Sequence, residues 1–127
     1  MLAVGERMLG DLDPCMLKMA TPFAGGVGDS SQEMCGALSG GLMVIGALHG
    51  RAKPQDSEHK ALELAARYRR AFEKEFGTTQ CGPLREKVHS PGGSGTCKTL
   101  VEQAALVLLE VLGAGGVHDG ERKAPSE

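Results

Sequence analysis

The stretch SSQEMCGALSGGLMVIGALHG, Ser30 to Gly50, decides what kind of fold this chain adopts. Ser30 followed three residues later by Glu33 is a capping-box pattern, which predicts a helix start there, and Gly50 suits its end. Between them the residues are apolar or small. Each glycine inside a helix costs on the order of 1 kcal/mol against alanine, so Gly36, Gly40, Gly41 and Gly46 require compensation from close packing. Ala37, Gly40, Gly41, Val44 and Ala47/Leu48 fall on one stripe, where another backbone is expected to approach. This reads as the central, most buried helix, with Cys35 in its first turn or two.

Working outward, RAKPQD (residues 51–56) is a polar loop. A second helix follows from about Ser57 to Phe76, with Ala61, Leu64, Tyr68, Phe72 and Phe76 at three- and four-residue spacing and charges opposite. Gly77 stops it. A linker carrying Cys81 and PGGSGT (residues 91–96) leads to a helix from Cys97 to Leu112. There Leu100, Val101, Ala104, Ala105, Leu108, Val111 and Leu112 make a broad apolar face. Upstream, Met1 to Leu9 is part of a helix broken by Gly10 and DLDP. Pro14 suits the first turn of a short helix to about Ala20, which Pro22 ends. FAGGVGD (residues 23–29) is a glycine loop, and residues 113–127 read as a disordered tail. No strand and no repeat is indicated. The expected fold is all-α: a single-domain bundle of four to five helices over residues 1–112, built around the glycine-rich one.

The totals exclude several classes of function. Of 127 residues, 41% are hydrophobic and 24% charged, which is ordinary for a globular domain. A net charge of −2 with interleaved signs leaves no footprint for nucleic acid, and one Tyr, three Phe and no Trp leave little to stack bases on. The start, MLAVGERMLGDLD, has neither the basic region nor the apolar run of a signal peptide. The longest uncharged run, Met34 to Leu48, has 15 residues against the roughly 20 needed for a bilayer span. A cytoplasmic location is expected, and four cysteines there argue for chemistry or metal rather than a disulfide framework.

SPGGSGTCKTL, residues 90–100, is close to a phosphate-binding loop, but Cys97 replaces the glycine before Lys98 and no strand precedes it. The simpler reading is a loop that ends with Thr96 capping a helix. Cys97 then sits at a helix start, near the positive end of the dipole, as does Cys35. Such positions favour thiolate, which is both nucleophile and metal ligand. Cys81 and Cys97 enclose 15 residues, a separation at which a disulfide stabilises by roughly 3 kcal/mol through loop entropy. Cys15, amid Met16, Leu17 and Met19, reads more simply as a small core residue. No C-x-x-C spacing is present. His49 suits a helix C-terminus, His59 and His118 read as solvated, and His89 is the one histidine near enough in sequence to neighbour the cysteines.

CGALSGGLMVIGALHGR (residues 35–51), followed by an amphipathic helix, Cys81, and Cys97 before an apolar helix, resembles the C_GCAxxG_C_C family of redox-active proteins. Cys35-Gly36-Ala37-Leu38-Ser39-Gly40 matches the family's CGAxxG motif, and FAGGVG fits its glycine loop; the resemblance runs over about residues 1–112. It implies a small helical protein with a redox site carried here by Cys35, Cys81 and Cys97. The family's first cysteine lies early in an N-terminal helix. This chain begins inside that helix, as if truncated or started at a downstream Met, and Cys15 does not sit where the missing cysteine should.

Two chemical forms follow. In one, thiolates of Cys35, Cys81 and Cys97 ligate an iron–sulfur cluster, whose fourth ligand comes from Cys15, a partner subunit or upstream residues. In the other, Cys35 or Cys97 attacks or is oxidised and Cys81 resolves it as a disulfide, with electrons exchanged with an unidentified redox partner. The competing class is a non-catalytic helical interaction module, such as a homodimer, using the glycine-rich face. Cysteine Cα atoms more than about 7 Å apart exclude a disulfide without backbone movement and favour that module.

Overall fold

A computed structural model of the chain describes residues 2–113. Six helices follow in order: α1 Leu2–Leu9, α2 Pro14–Ala20 continued by a 3-10 turn at Thr21–Phe23, α3 Gly36–His49, α4 His59–Phe76, α5 Cys81–His89 and α6 Lys98–Leu112. Helices α3, α4 and α6 pack mutually, and α1 lies against α3 and α6. Among the described residues there is no strand, only an isolated antiparallel bridge between Met34 and Gln80. The all-α fold around α3 is as the sequence implies. The helix count exceeds the expected four to five because α5 lies in what reads as a linker.

The core follows from spacing. Leu64, Tyr68 and Phe72, four residues apart, are the buried face of α4. Leu100, Ala104 and Leu108 are that of α6. Leu38, Val44 and Ile45 come from α3 and Leu84 and Val88 from α5. Tyr68 meets Phe72 edge to face at 6.1 Å between ring centroids, and Phe72 meets Phe76 at 4.6 Å. Gly77, in the left-handed conformation that glycine tolerates, ends α4 with its N–H on Glu73 O (2.7 Å).

At Gly41 the small-residue stripe of α3 admits a ring in place of the expected backbone. A Cβ on Gly41 would lie 2.5 Å from Tyr68 Cε2 and 2.8 Å from Oη. Tyr68 is buried against this gap, and its hydroxyl donates to Ala37 O (3.2 Å), giving the phenol the partner it needs. Gly46 is different: it is exposed, with nothing within 4 Å of a Cβ.

The expected start of α3 at Ser30 is displaced. Ser30 Oγ does accept from Gln32 N (3.1 Å), but Ser31 has positive φ and the helix begins at Gly36, with Cys35 as N-cap. Met34 instead forms the bridge with Gln80. Cys35 N donates to Thr79 O (2.8 Å) and Cys81 N to Glu33 O (2.9 Å). Tertiary pairing thus overrides the local capping signal. Similarly, the expected linker at Cys81 is helical because Pro83 falls in the first turn, where a missing N–H leaves no bond unmade. At the other end of the linker, Thr96 Oγ1 accepts from Lys98 N (3.3 Å), and Cys97, expected as the first residue of α6, is its N-cap. Apart from Gly113, the tail expected over residues 113–127 lies outside the described residues, as does His118. Among the described residues no helix is long and apolar enough to cross a membrane.

A candidate thiol pocket at three helix starts

Three helices begin at cysteines. Cys35 is the N-cap of α3, Cys81 opens α5 and Cys97 is the N-cap of α6. All three line one pocket of about 350 Å³. They lie at graded depth, with Cys81 buried, Cys35 half-buried and Cys97 exposed. The walls are largely apolar, from Ala20, Phe23, Ala37, Leu100 and Val101, and Arg85 contributes a guanidinium.

The bridge fixes how Cys35 and Cys81 are related. Its hydrogen bonds run from Cys35 to Thr79 and from Cys81 to Glu33, so the two cysteines stand at diagonal corners. Diagonal positions in an antiparallel pair are about 7–8 Å apart by Cα. A disulfide wants about 4.4–6.8 Å, so closing this pair requires a small approach of α5 towards α3.

The start of the glycine loop, through Gly25, also lines the pocket. Gly25, Gly26, Val27, Gly28 and Asp29 all have positive φ, a short left-handed turn. The conformation costs on the order of 1–2 kcal/mol at a non-glycine residue such as Val27. At Gly26 it is tied to the site, since a Cβ there would lie 2.6 Å from Cys81 Cβ. Arg85 braces the loop: Nη2 donates to Asp29 Oδ1 and Nη1 to Ser31 Oγ, both at 2.7 Å.

Burial pushes the Cys35 thiol above its ordinary value. The backbone N–H groups of Ala37 and Leu38 oppose this, and the charges of Cys81 and Cys97 add to it. The expected thiolate preference at this helix start is therefore reversed: loss of hydration outweighs the N–H groups. Burial, and after it the charge of Cys35, likewise raises Tyr68. Arg85 is held more firmly cationic, first by the hydrogen bond and charge of Asp29 and then by Cys81.

Cys15 does not line the pocket. It is exposed at the start of α2, five residues or about 7.5 Å along the axis from Ala20, which does line it. Neither core filler nor fourth ligand describes its position. His89 is exposed at the far end of α5. An iron–sulfur cluster ordinarily takes four cysteine ligands. The pocket offers three, and among the described residues no group of three or more His, Cys, Asp or Glu is arranged to hold a metal ion. The described residues alone do not supply the four ligands of such a cluster. The phosphate-loop resemblance also lapses. Gly93 N donates to Ser90 O (2.8 Å) and Gly95 N to Val88 O (2.9 Å), so the loop's amides are turned onto the end of α5.

Arg85 is the residue that sequence reasoning missed. Its signal was present: once Pro83 is allowed in a first turn, CGPLR places Cys81 and Arg85 at i and i+4 on one helix face.

No curated protein and no solved structure matches the chain. The family model described as "Putative redox-active protein (C_GCAxxG_C_C)" matches residues 1–111, and the chain belongs to that family.

Proposed function

We propose that the protein exchanges electrons through thiol–disulfide chemistry in this pocket, with Cys97 as the attacking thiol and Cys81 as the resolving one. The observation that carries the reading is that Cys35, Cys81 and Cys97, 46 and 16 residues apart, line a single cavity at different depths. Cys97 is the exposed member and follows a glycine-rich loop, so it meets a substrate first. Cys35, whose buried thiol stays protonated at neutral pH, is the poorer nucleophile.

In the forward direction, Cys97 thiolate attacks a substrate disulfide, R–S–S–R. The S–S bond breaks, Cys97–S–S–R forms and RS⁻ leaves. Cys81 thiolate then attacks Cys97 Sγ, forming Cys81–Cys97 and releasing the second RS⁻. Two electrons pass from the protein thiols to the substrate, and the two protons lost by the thiols balance the two leaving thiolates.

Mild oxidation is the test. Titratable thiols are expected to fall from four to two, and peptide mapping to find Cys81 joined to Cys97, lost in Cys97→Ser and retained in Cys15→Ser. Mapping that joins Cys35 to Cys81 overturns the assignment of Cys97. Stoichiometric iron and acid-labile sulfide in anaerobic protein, with charge-transfer bands, overturns the thiol reading in favour of a cluster completed by a ligand outside the described residues.

A further inference from the structure

We propose that the thiol pocket selects a small anionic partner, a disulfide or thiol bearing a carboxylate, and that Arg85 is the residue that binds the anion. This rests on the pocket being a site of thiol exchange. Among the described residues, Arg85 is the one charged side chain that lines the cavity, and no carboxylate lines it with Arg85. A guanidinium has five N–H donors. Ser31 and Asp29 take one each, leaving three and fixing the group in place. Asp29 accepts from the loop side, is 76% exposed and is not part of the pocket lining.

The spacing suits a small molecule. Arg85 lies one turn beyond Cys81 on α5, so their Cβ atoms are about 5–6 Å apart. A carboxylate paired with the guanidinium leaves a sulfur two or three bonds away within reach of Cys97 and Cys81. The apolar walls from Phe23, Leu100 and Val101 cover the intervening carbons, and about 350 Å³ is at the small end of ligand cavities. The N-cap residues of α3, α5 and α6 are Cys35, Gln80 and Cys97, none of them acidic, so no acidic cap adds negative charge to the cavity. Guanidinium–carboxylate pairing is the charge-assisted contact to which such a geometry is suited. A cationic disulfide meets the opposite sign, and a neutral one gains nothing from Arg85.

The test compares alkylation by iodoacetate, an anion, with iodoacetamide, its neutral analogue, resolved for each cysteine by mass spectrometry. Exposed Cys15, outside the pocket, is the internal reference. The iodoacetate-to-iodoacetamide rate ratio at Cys97 is expected to exceed that at Cys15 by up to about fivefold, the effect of one unit charge at about 4 Å in water, reduced by the pairing of Arg85 with Asp29. Arg85→Gln should reduce it to the Cys15 value, and 0.5 M salt should do the same in the unmodified protein, which guards against a variant that fails to fold. Equal ratios at Cys97 and Cys15 overturn the proposal, as does a raised ratio that survives both salt and Arg85→Gln. Alkylation needs no disulfide, so a protein that forms none on oxidation, yet keeps the Arg85-dependent ratio, fails the redox reading alone.

Discussion

Alanine at Gly41 and alanine at Gly46 should change stability in opposite directions, although the substitution is the same and the sites are five residues apart on one helix. At Gly46 the new methyl meets nothing within 4 Å. Only the helix preference acts there, so Gly46→Ala should stabilise by about 0.5–1 kcal/mol. At Gly41 the same preference is opposed by a collision. The methyl would lie 2.5 Å from Tyr68 Cε2 and 2.8 Å from Cζ and Oη. Tyr68 has little freedom to retreat, being 1% exposed, braced edge-on by Phe72 and bonded to Ala37 O. Overpacking of this kind costs about 1–3 kcal/mol, and a stretched Tyr68–Ala37 hydrogen bond about 1 more. With the helix preference set against these, Gly41→Ala should destabilise by about 1–3 kcal/mol. Urea titration of the reduced protein reads both values, and an unchanged slope shows that the same surface is exposed on unfolding. Equal shifts of one sign would refute the argument, because Gly41 would then not be the place where Tyr68 enters α3.

Two further outcomes concern the site. The rate of Cys35 alkylation by iodoacetamide should still be rising at pH 9.0, the ordinary thiol value, because burial raises the native group above it. The native state then holds the proton longer than the unfolded chain, so the contribution of Cys35 to stability is complete below pH 9 and is lost as pH rises through the native value; a midpoint below 9.0 contradicts this. Gly26→Ala should destabilise by more than about 2 kcal/mol and alter the reactivity of Cys81, since it places a methyl 2.6 Å from Cys81 Cβ at a φ of 76°. Thermal unfolding and Cys81 labelling measure the two effects separately, and a neutral substitution would mean that the glycine turn does not pack against Cys81.

How much of this was legible depended on how local the signal was. Helix α4 could be read directly, because Leu64, Tyr68 and Phe72 repeat at one helical spacing and Gly77 closes it in the left-handed conformation. The start of α3 could not. The Ser30–Glu33 pattern is a real capping signal, but Glu33 O is taken by Cys81 N, 48 residues away, and residues 33–35 are drawn into the bridge. Helix α5 was hidden by its own brevity: nine residues holding Gly82 and Pro83 look like a linker unless proline is placed in a first turn. The cysteines were legible as a set, because the family signature marks them, while their convergence is tertiary and Arg85 emerged only with α5.

That convergence also explains why helix starts alone were a poor guide to thiol reactivity. A helix N-terminus lowers a thiol's pKa only while the thiol remains hydrated enough for its N–H groups to dominate. At Cys35 the N–H groups of Ala37 and Leu38 are present, yet burial wins. At Cys97 the helix start is retained and the sulfur stays exposed. The same helix-start position is thus occupied at two different depths in the pocket. In the proposed exchange, chemistry that begins at exposed Cys97 and passes to buried Cys81 carries the new bond from the rim of the pocket towards its buried wall.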